Sequence, residues 1–188
     1  MWDMGTIRVQ GAIKIADAIQ EKIVLNKEME VIDFGTGTGL LGFLIAEDVK
    51  QVHGIDTSKN MLQKLEEKNS PELFIKTYCQ DIIKIPLTQK FDGLVSSMTL
   101  HHIEDLKLFF TTIFNTLNKN GFIAIADLTI EDGTFHSNND GVFHFGFDKN
   151  ELSTIVKECG FKDVKFEVIN SIKKPHKDFD IFLLSAGK

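Results

Sequence analysis

Cysteine, proline and long apolar runs are scarce in this 188-residue chain, and each scarcity removes a class of protein. Cys79 and Cys159 are its only cysteines. They lie far apart and form no Cys-x-x-Cys pair, so neither a disulfide framework nor a zinc ribbon is expected. That usage fits a reduced, cytoplasmic protein. Three prolines, with 43% apolar and 26% charged residues, exclude a collagenous or disordered composition. The strongest apolar run, Leu40–Ala46, is interrupted by Gly42 and falls far short of the roughly 20 residues a membrane span requires. No membrane partner is expected. The start, Met1-Trp2-Asp3-Met4, lacks a basic segment leading into an apolar one, so no secretory signal is expected either. Cationic excess is also missing: 21 Lys and Arg against 27 Asp and Glu give a net charge of −6. A general nucleic-acid binder needs an electropositive face, so no nucleic-acid partner is expected and a small molecule is easier to accommodate.

What is present is enough for one domain over residues 1–188, since a chain of this size removes roughly 70% of its surface from water. Ile7, Ile15, Ala16, Ile19 and Ile23 recur at helical spacing within an N-terminal region, 1–28. Residues 31–34 then read as a strand that ends at Gly35, and Leu40–Ala46 resumes as a helix. Further strands are expected at 52–56, 73–78, 91–97 and 122–128. Ser58 is placed to cap a helix running to about Lys68, and another helix spans about 105–118, stopping at Asn120-Gly121. Asp148 and Glu151 have capping-box spacing, so a helix runs from Lys149 to Gly160. The runs at 164–169 and 179–185 are too close for a crossover helix and should pair antiparallel. Strands alternating with helices imply an α/β fold, a doubly wound and mainly parallel sheet covered on both faces, with a terminal hairpin.

Ligands of such sheets sit beyond the carboxyl ends of the strands, where strand order reverses. Asp33-Phe34-Gly35-Thr36-Gly37-Thr38-Gly39 occupies that place. The spacing is Gly-x-Gly-x-Gly. Leu40 stands where a dinucleotide fingerprint needs a small residue, and no Gly-Lys-Ser/Thr follows, so neither the nicotinamide nor the Walker pattern is met. The bend could also be a plain strand-to-helix turn. Asp56, at the end of the second strand, can accept from both hydroxyls of a ribose. Asp81 is placed to accept from a purine amine while Ile82 lies against its ring.

These residues resemble the class I S-adenosylmethionine-dependent methyltransferases. The likeness runs through Val-Ile-Asp-Phe-Gly-Thr-Gly-Thr-Gly (31–39), Gly-Ile-Asp-Thr-Ser-Lys-Asn-Met-Leu (54–62), Gln-Asp-Ile (80–82), the stretch 91–103, and Leu-Asn-Lys-Asn-Gly-Phe-Ile-Ala-Ile-Ala-Asp (117–127). It implies S-adenosyl-L-methionine as cofactor, S-adenosyl-L-homocysteine as product, and a seven-stranded sheet of order 3-2-1-4-5-7-6 with strand 7 antiparallel. It further implies that Asp33, Gly35, Gly37 and Gly39 border the methionine part, that Asp56 holds the ribose, and that Thr36 and Thr57 also bind the cofactor. Met61 and Ile82 would sandwich the adenine, Asp81 would bind its amine, and Ser97 and Met98 would floor the pocket. Trp2 and Asp3 would belong to an N-terminal cap.

Methyl transfer by in-line displacement depends chiefly on alignment, for which about 7–11 kcal/mol is available. A dry pocket adds to it. The aromatic stretch 131–147 follows the fifth strand and is the candidate lid, although aromatic residues there could equally be core. An oxygen or nitrogen acceptor also needs a base, and histidine suits that role. His102, His136 and His144 are the candidates for base or acceptor contact, whereas the His101-His102 pair also fits a structural role. His136 and His144 could take a metal with Asp127 or Asp140, but their spacing predicts no convergence, so no metal is expected. Neither Asn/Asp-Pro-Pro-Tyr nor a Pro-Cys nucleophile is present, which favours a small-molecule acceptor. A protein side chain as acceptor, a binding module without transfer activity and a nicotinamide oxidoreductase are the competing readings.

Overall fold

The computed structural model describes residues 7–175 and 177–188. The expectation for Trp2 and Asp3 falls outside them. The order of elements is α1 (Ile7–Lys22), β1 (Glu30–Phe34), α2 (Leu40–Ala46), β2 (Gln51–Asp56), α3 (Lys59–Glu66), β3 (Ile75–Cys79), β4 (Phe91–Ser97), a 3-10 turn at Leu100–His102, α4 (Leu106–Thr116), β5 (Leu117–Leu128), α5 (Lys149–Glu158), β6 (Lys162–Lys174) and β7 (Lys177–Gly187). The seven strands form one sheet in the order β3-β2-β1-β4-β5-β7-β6. Strands β1 to β5 pair in parallel, and β7 runs antiparallel to both neighbours. The expected fold is borne out.

Alternation along β1 shows how the sheet is buried on both faces. Val31 joins a core with Ile15 and Ile19 of α1, Leu41 and Phe43 of α2, and Leu65 of α3. Ile32 and Phe34 point the other way, to Phe109, Phe110 and Ile113 of α4 and Leu152 and Val156 of α5. Successive strand side chains face opposite sides, so a doubly covered strand is apolar on both faces, and in β1 only the buried Asp33 interrupts that pattern after Glu30. Asp148 caps α5 by accepting from the N–H groups of Asn150 (2.8 Å) and Glu151 (3.0 Å), with Phe147 and Leu152 buried beside it. Ser58 caps α3.

Several boundaries differ from the sequence expectation. Ile7 is 69% exposed and does not share the buried stripe of α1. The third strand starts at Ile75, and α3 stops at Glu66. Helix α4 ends at Thr116 and the fifth strand starts at once, because Leu117 pairs with Phe91 ahead of a register shift. Asn120, at φ 67°, marks a kink inside that strand instead of a helix stop. The closing strands are much longer than 164–169 and 179–185. Their polar ends pair with each other, Lys174 opposite Lys177, beyond Leu128↔Ile181, the last pairing of β5 with β7. This ribbon overhangs the edge of the sheet where the parallel strands end.

Candidate active site

The side chains of Asp33, Thr36, Asp56 and Thr99 surround the glycine bend. Gly35 and Gly37 have φ of 66° and 54°, left-handed values that L side chains rarely adopt. A Cβ on Gly35 would lie 2.2 Å from Thr99. Thr36 folds inward and its hydroxyl donates to Asp33 Oδ2 at 2.6 Å. Asp33 is buried, and burial pushes its pKa up to about 7 against the opposing hydrogen bonds from Thr36 and the Gly42 N–H. Asp56 accepts from the Gly37 N–H with Oδ2 and from the Ser58 N–H with Oδ1, both at 2.8 Å. One carboxylate therefore ties the glycine bend to the cap of α3.

A cavity of about 740 Å³ opens against this bend. Of the cofactor residues expected from sequence, Asp33, Gly35, Thr36, Gly37, Met61, Ser97 and Met98 stand in its walls. Met61 is 44% exposed there. Met98 holds φ 56°, strain of the kind that collects at functional sites, and its N–H donates to the Ala126 carbonyl at 2.8 Å. Gly39, Asp56, Thr57, Asp81 and Ile82 do not line the cavity. Gly39 faces Phe43, where a Cβ would come within 2.8 Å of the ring. The Thr57 carbonyl meets the Cys79 thiol. Asp81 caps its own turn through the N–H groups of Ile83 and Lys84 and pairs with Lys84 at 3.3 Å. Ile82 is fully buried in the second core.

At the opposite wall, three imidazoles gather. His101 stands 4.2 Å from His102 and 4.9 Å from His136, ring centre to ring centre. His101 and Asp127 are both buried, and His101 Nδ1 lies 2.7 Å from Asp127 Oδ1 while the His101 N–H donates to Oδ2. A carboxylate only accepts, so it places the imidazole proton on Nδ1 and leaves the lone pair on Nε2. The Nε2 atoms of His101 and His136 are buried with no hydrogen-bond partner among the described residues. His102 Nδ1 is held to the Gly141 carbonyl at 2.7 Å.

His144 is not brought to this wall. Its Nε2 lies 2.8 Å from the Ile103 carbonyl and its N–H donates to the His101 carbonyl, so it fastens the loop to the 3-10 turn. Gly141 and Phe143 hold to the same turn, through His102 and the His101 carbonyl. Only Phe135, His136 and Ser137 of that stretch reach the cavity, while Phe147 is core and Phe143 and Phe145 stay about half exposed. The pairing of His101 with Asp127 is what sequence reasoning missed. Both are polar residues just past or at the ends of neighbouring parallel strands, and that shared position was the available signal. Among the described residues no three His, Cys, Asp or Glu side chains converge as metal ligands, and no helix is long and apolar enough to cross a membrane.

A family model described as a methyltransferase domain matches residues 25–158. An uncharacterized methyltransferase of Schizosaccharomyces pombe is 33% identical over 120 residues, covering 58% of this chain and 42% of its own. One from Alkaliphilus oremlandii is 28% identical over 176 residues, covering 90% of this chain and 70% of its own. This chain thus spans less than half the length of the first relative. The crystal structure of an S-adenosylmethionine-dependent methyltransferase from Clostridium acetobutylicum superimposes with a TM-score of 0.74 at 19% identity, covering 94% of this chain and 91% of its own.

Proposed function

The chain belongs to the methyltransferase-domain family, and on that premise we propose that it moves the methyl group of S-adenosyl-L-methionine to a small-molecule acceptor held in the 740 Å³ cavity. The observation that carries the reading is that one cavity joins the glycine bend to the buried His101–Asp127 pair. When bound, the cofactor supplies an electrophilic methyl on a positively charged sulfur and departs as S-adenosyl-L-homocysteine.

The residues fit that group. A Cβ at Gly37 would meet nothing nearer than 4.0 Å, so the bend is open to a ligand. Asp56 spends two of its roughly four lone-pair sites on backbone N–H groups and keeps the others for a vicinal diol. Met61, exposed in the cavity wall, offers the adenine an apolar contact, while Asp81 and Ile82 stay outside that wall. Asp33 places a carboxyl in the wall of the cavity beside Gly35.

His101 Nε2 is the base of this reading: it accepts the proton of an acceptor O–H or N–H while Asp127 holds the ring in one tautomer and stabilises the resulting cation. His102 and His136 contact the acceptor, and the loop 131–147 limits water at that wall. A cytoplasmic setting belongs to the same reading. Incubating the purified chain with methyl-labelled S-adenosylmethionine and a broad panel of small acceptors tests it. Label recovered on a small molecule is the expected result. Tight cofactor binding without transfer to any acceptor would point instead to a binding module, and label on a polypeptide to a protein substrate.

A further inference from the structure

The charge lining the cavity runs against the charge of the chain. The protein carries a net charge of −6, yet among the described residues the acidic side chain in the cavity wall is Asp33, beside the glycine bend, while Arg8, Lys173, Lys174 and three histidines line the rest. The fold explains how the cations meet. Helix α1 runs antiparallel along β6, since Lys22 pairs with Glu167 at 2.6 Å and Lys14 donates to Asn170 at 3.0 Å. Continuing that alignment brings Arg8 to the overhanging end of β6, at Lys173 and Lys174.

Nearby acids leave part of this charge unmatched. Lys177 is neutralised by Asp132 at 2.9 Å, and Asp178 stands opposite Lys173 in the ribbon. Arg8 has no ion-pair partner among the described residues. Lys174 donates to the Phe135 carbonyl and stands 4.1 Å from the centre of the Phe135 ring, contacts that do not cancel its charge. The neighbouring His136 carries a buried Nε2 with no partner among the described residues. Burial first, and then the charges of His101, His102 and Lys174, hold the His136 pKa below its usual value. An oxyanion placed here would face two cations beside the His136 ring.

We infer that the acceptor carries a negatively charged oxyanion group, a phosphate or a carboxylate, seated among Arg8, Lys174 and His136, with its reacting atom turned towards His101. The inference rests on the methyl-transfer reading of the same cavity. It adds the class of acceptor.

The test is calorimetry on the full chain, first with S-adenosylhomocysteine, then with inorganic phosphate and with acetate added to the saturated protein. Phosphate or acetate binding is expected, weakened at least about fivefold by Arg8→Gln and by Lys174→Gln, and weakened by added salt more in the wild type than in either variant. Phosphate in preference to acetate assigns a phosphate-bearing acceptor, acetate in preference to phosphate assigns a carboxylate, and comparable binding of both supports the oxyanion seat for either. Refusal of both anions by protein that binds S-adenosylhomocysteine, or anion binding that neither variant changes, overturns this inference alone. Failure to bind S-adenosylhomocysteine overturns the parent reading.

Discussion

His101 and Asp127 are 26 residues apart in the chain, yet Nδ1 and Oδ1 are 2.7 Å apart. The parallel pairing of β4 with β5 brings them together, since Ser97 pairs with Ala126, Asp127 is the next residue of β5 and His101 follows the end of β4. The same carboxylate also accepts from the Leu128 N–H at 2.7 Å, so Asp127 is fixed before it orients the imidazole.

Asp127→Asn should therefore lower methyl-transfer turnover by about 10²–10⁴-fold, the usual range for a positioned base, while leaving cofactor affinity nearly unchanged. An asparagine can present its amide to Nδ1 and reverse the tautomer. Nitrogen chemical shifts of His101 should show Nδ1 protonated in the wild type and not in the variant. A turnover that survives the substitution would remove the pair from the chemistry.

Asp33 gives a pH prediction with a defined sign. Its pKa rises from 3.8 unfolded to about 7 folded, chiefly through burial. The folded chain holds this proton more tightly, so the stability it contributes is full below about pH 4, is lost as pH rises towards 7, and is level above that. The span of the shift sets the loss at about 4 kcal/mol at most. His53 and His136, whose pKa values burial lowers, act in the opposite sense below 6.5. The informative quantity is thus the difference between Asp33→Asn and wild type in urea unfolding at pH 5 and pH 7.5. The wild type should lose ground relative to the variant as pH rises, and parallel behaviour would show that Asp33 is not protonated in the fold.

The same carboxyl lines the cavity, so a cationic ligand should favour its ionised form. S-adenosylmethionine should bind more tightly at pH 8 than at pH 6, with proton release near neutrality. S-adenosylhomocysteine lacks the sulfonium charge and should show a smaller difference. Equal pH dependence for the two ligands, measured by calorimetry in two buffers, would contradict the placement of Asp33 beside the sulfur.

Much of this was legible in the chain before its structure. The runs at 31–34 and 91–97 were legible as strands although Asp33 and Asp92 interrupt them, and the alternation of strands with helices marked the sheet as covered on both faces. The glycine bend was readable for a physical reason, since three glycines in five residues have few other uses. The ribbon of β6 and β7 was underestimated because Lys173, Lys174 and Lys177 read as a polar connector. A strand pair that overhangs its sheet needs no apolar face. Asp81 and Asp56 were read as ligand contacts, and neither reading showed that both carboxylates are already engaged with backbone N–H groups. His144 was a candidate for the site because of its aromatic neighbours, but loop contacts span 41 residues to reach Ile103, and no local pattern reports them.

Asp56→Ala should weaken cofactor affinity by roughly 1.5–3 kcal/mol through lost charge-assisted hydrogen bonds. It should also lower the melting temperature, because the N–H groups of Gly37 and Ser58 lose their acceptor. Asp56→Asn retains one acceptor oxygen and should fall between. Unchanged affinity in both variants would take Asp56 out of the site.

Gly35→Ala combines a left-handed φ with a Cβ 2.2 Å from Thr99. A strained backbone of this kind costs about 1–3 kcal/mol before the clash is counted. Equilibrium unfolding should show a loss of at least that size, only partly recovered by Thr99→Ala, whose remaining Cβ still stands 2.6 Å away. Wild-type stability in the single variant would mean that the bend relaxes freely.

The most direct measurement is a crystal structure of the full chain grown with S-adenosylhomocysteine. The predicted result is the ribose on Asp56, the adenine against Met61, and the sulfur beside Gly35, facing across the cavity to His101. Electron density for the ligand at another surface, or its sulfur turned away from the three histidines, would contradict the assignment of this cavity to methyl transfer.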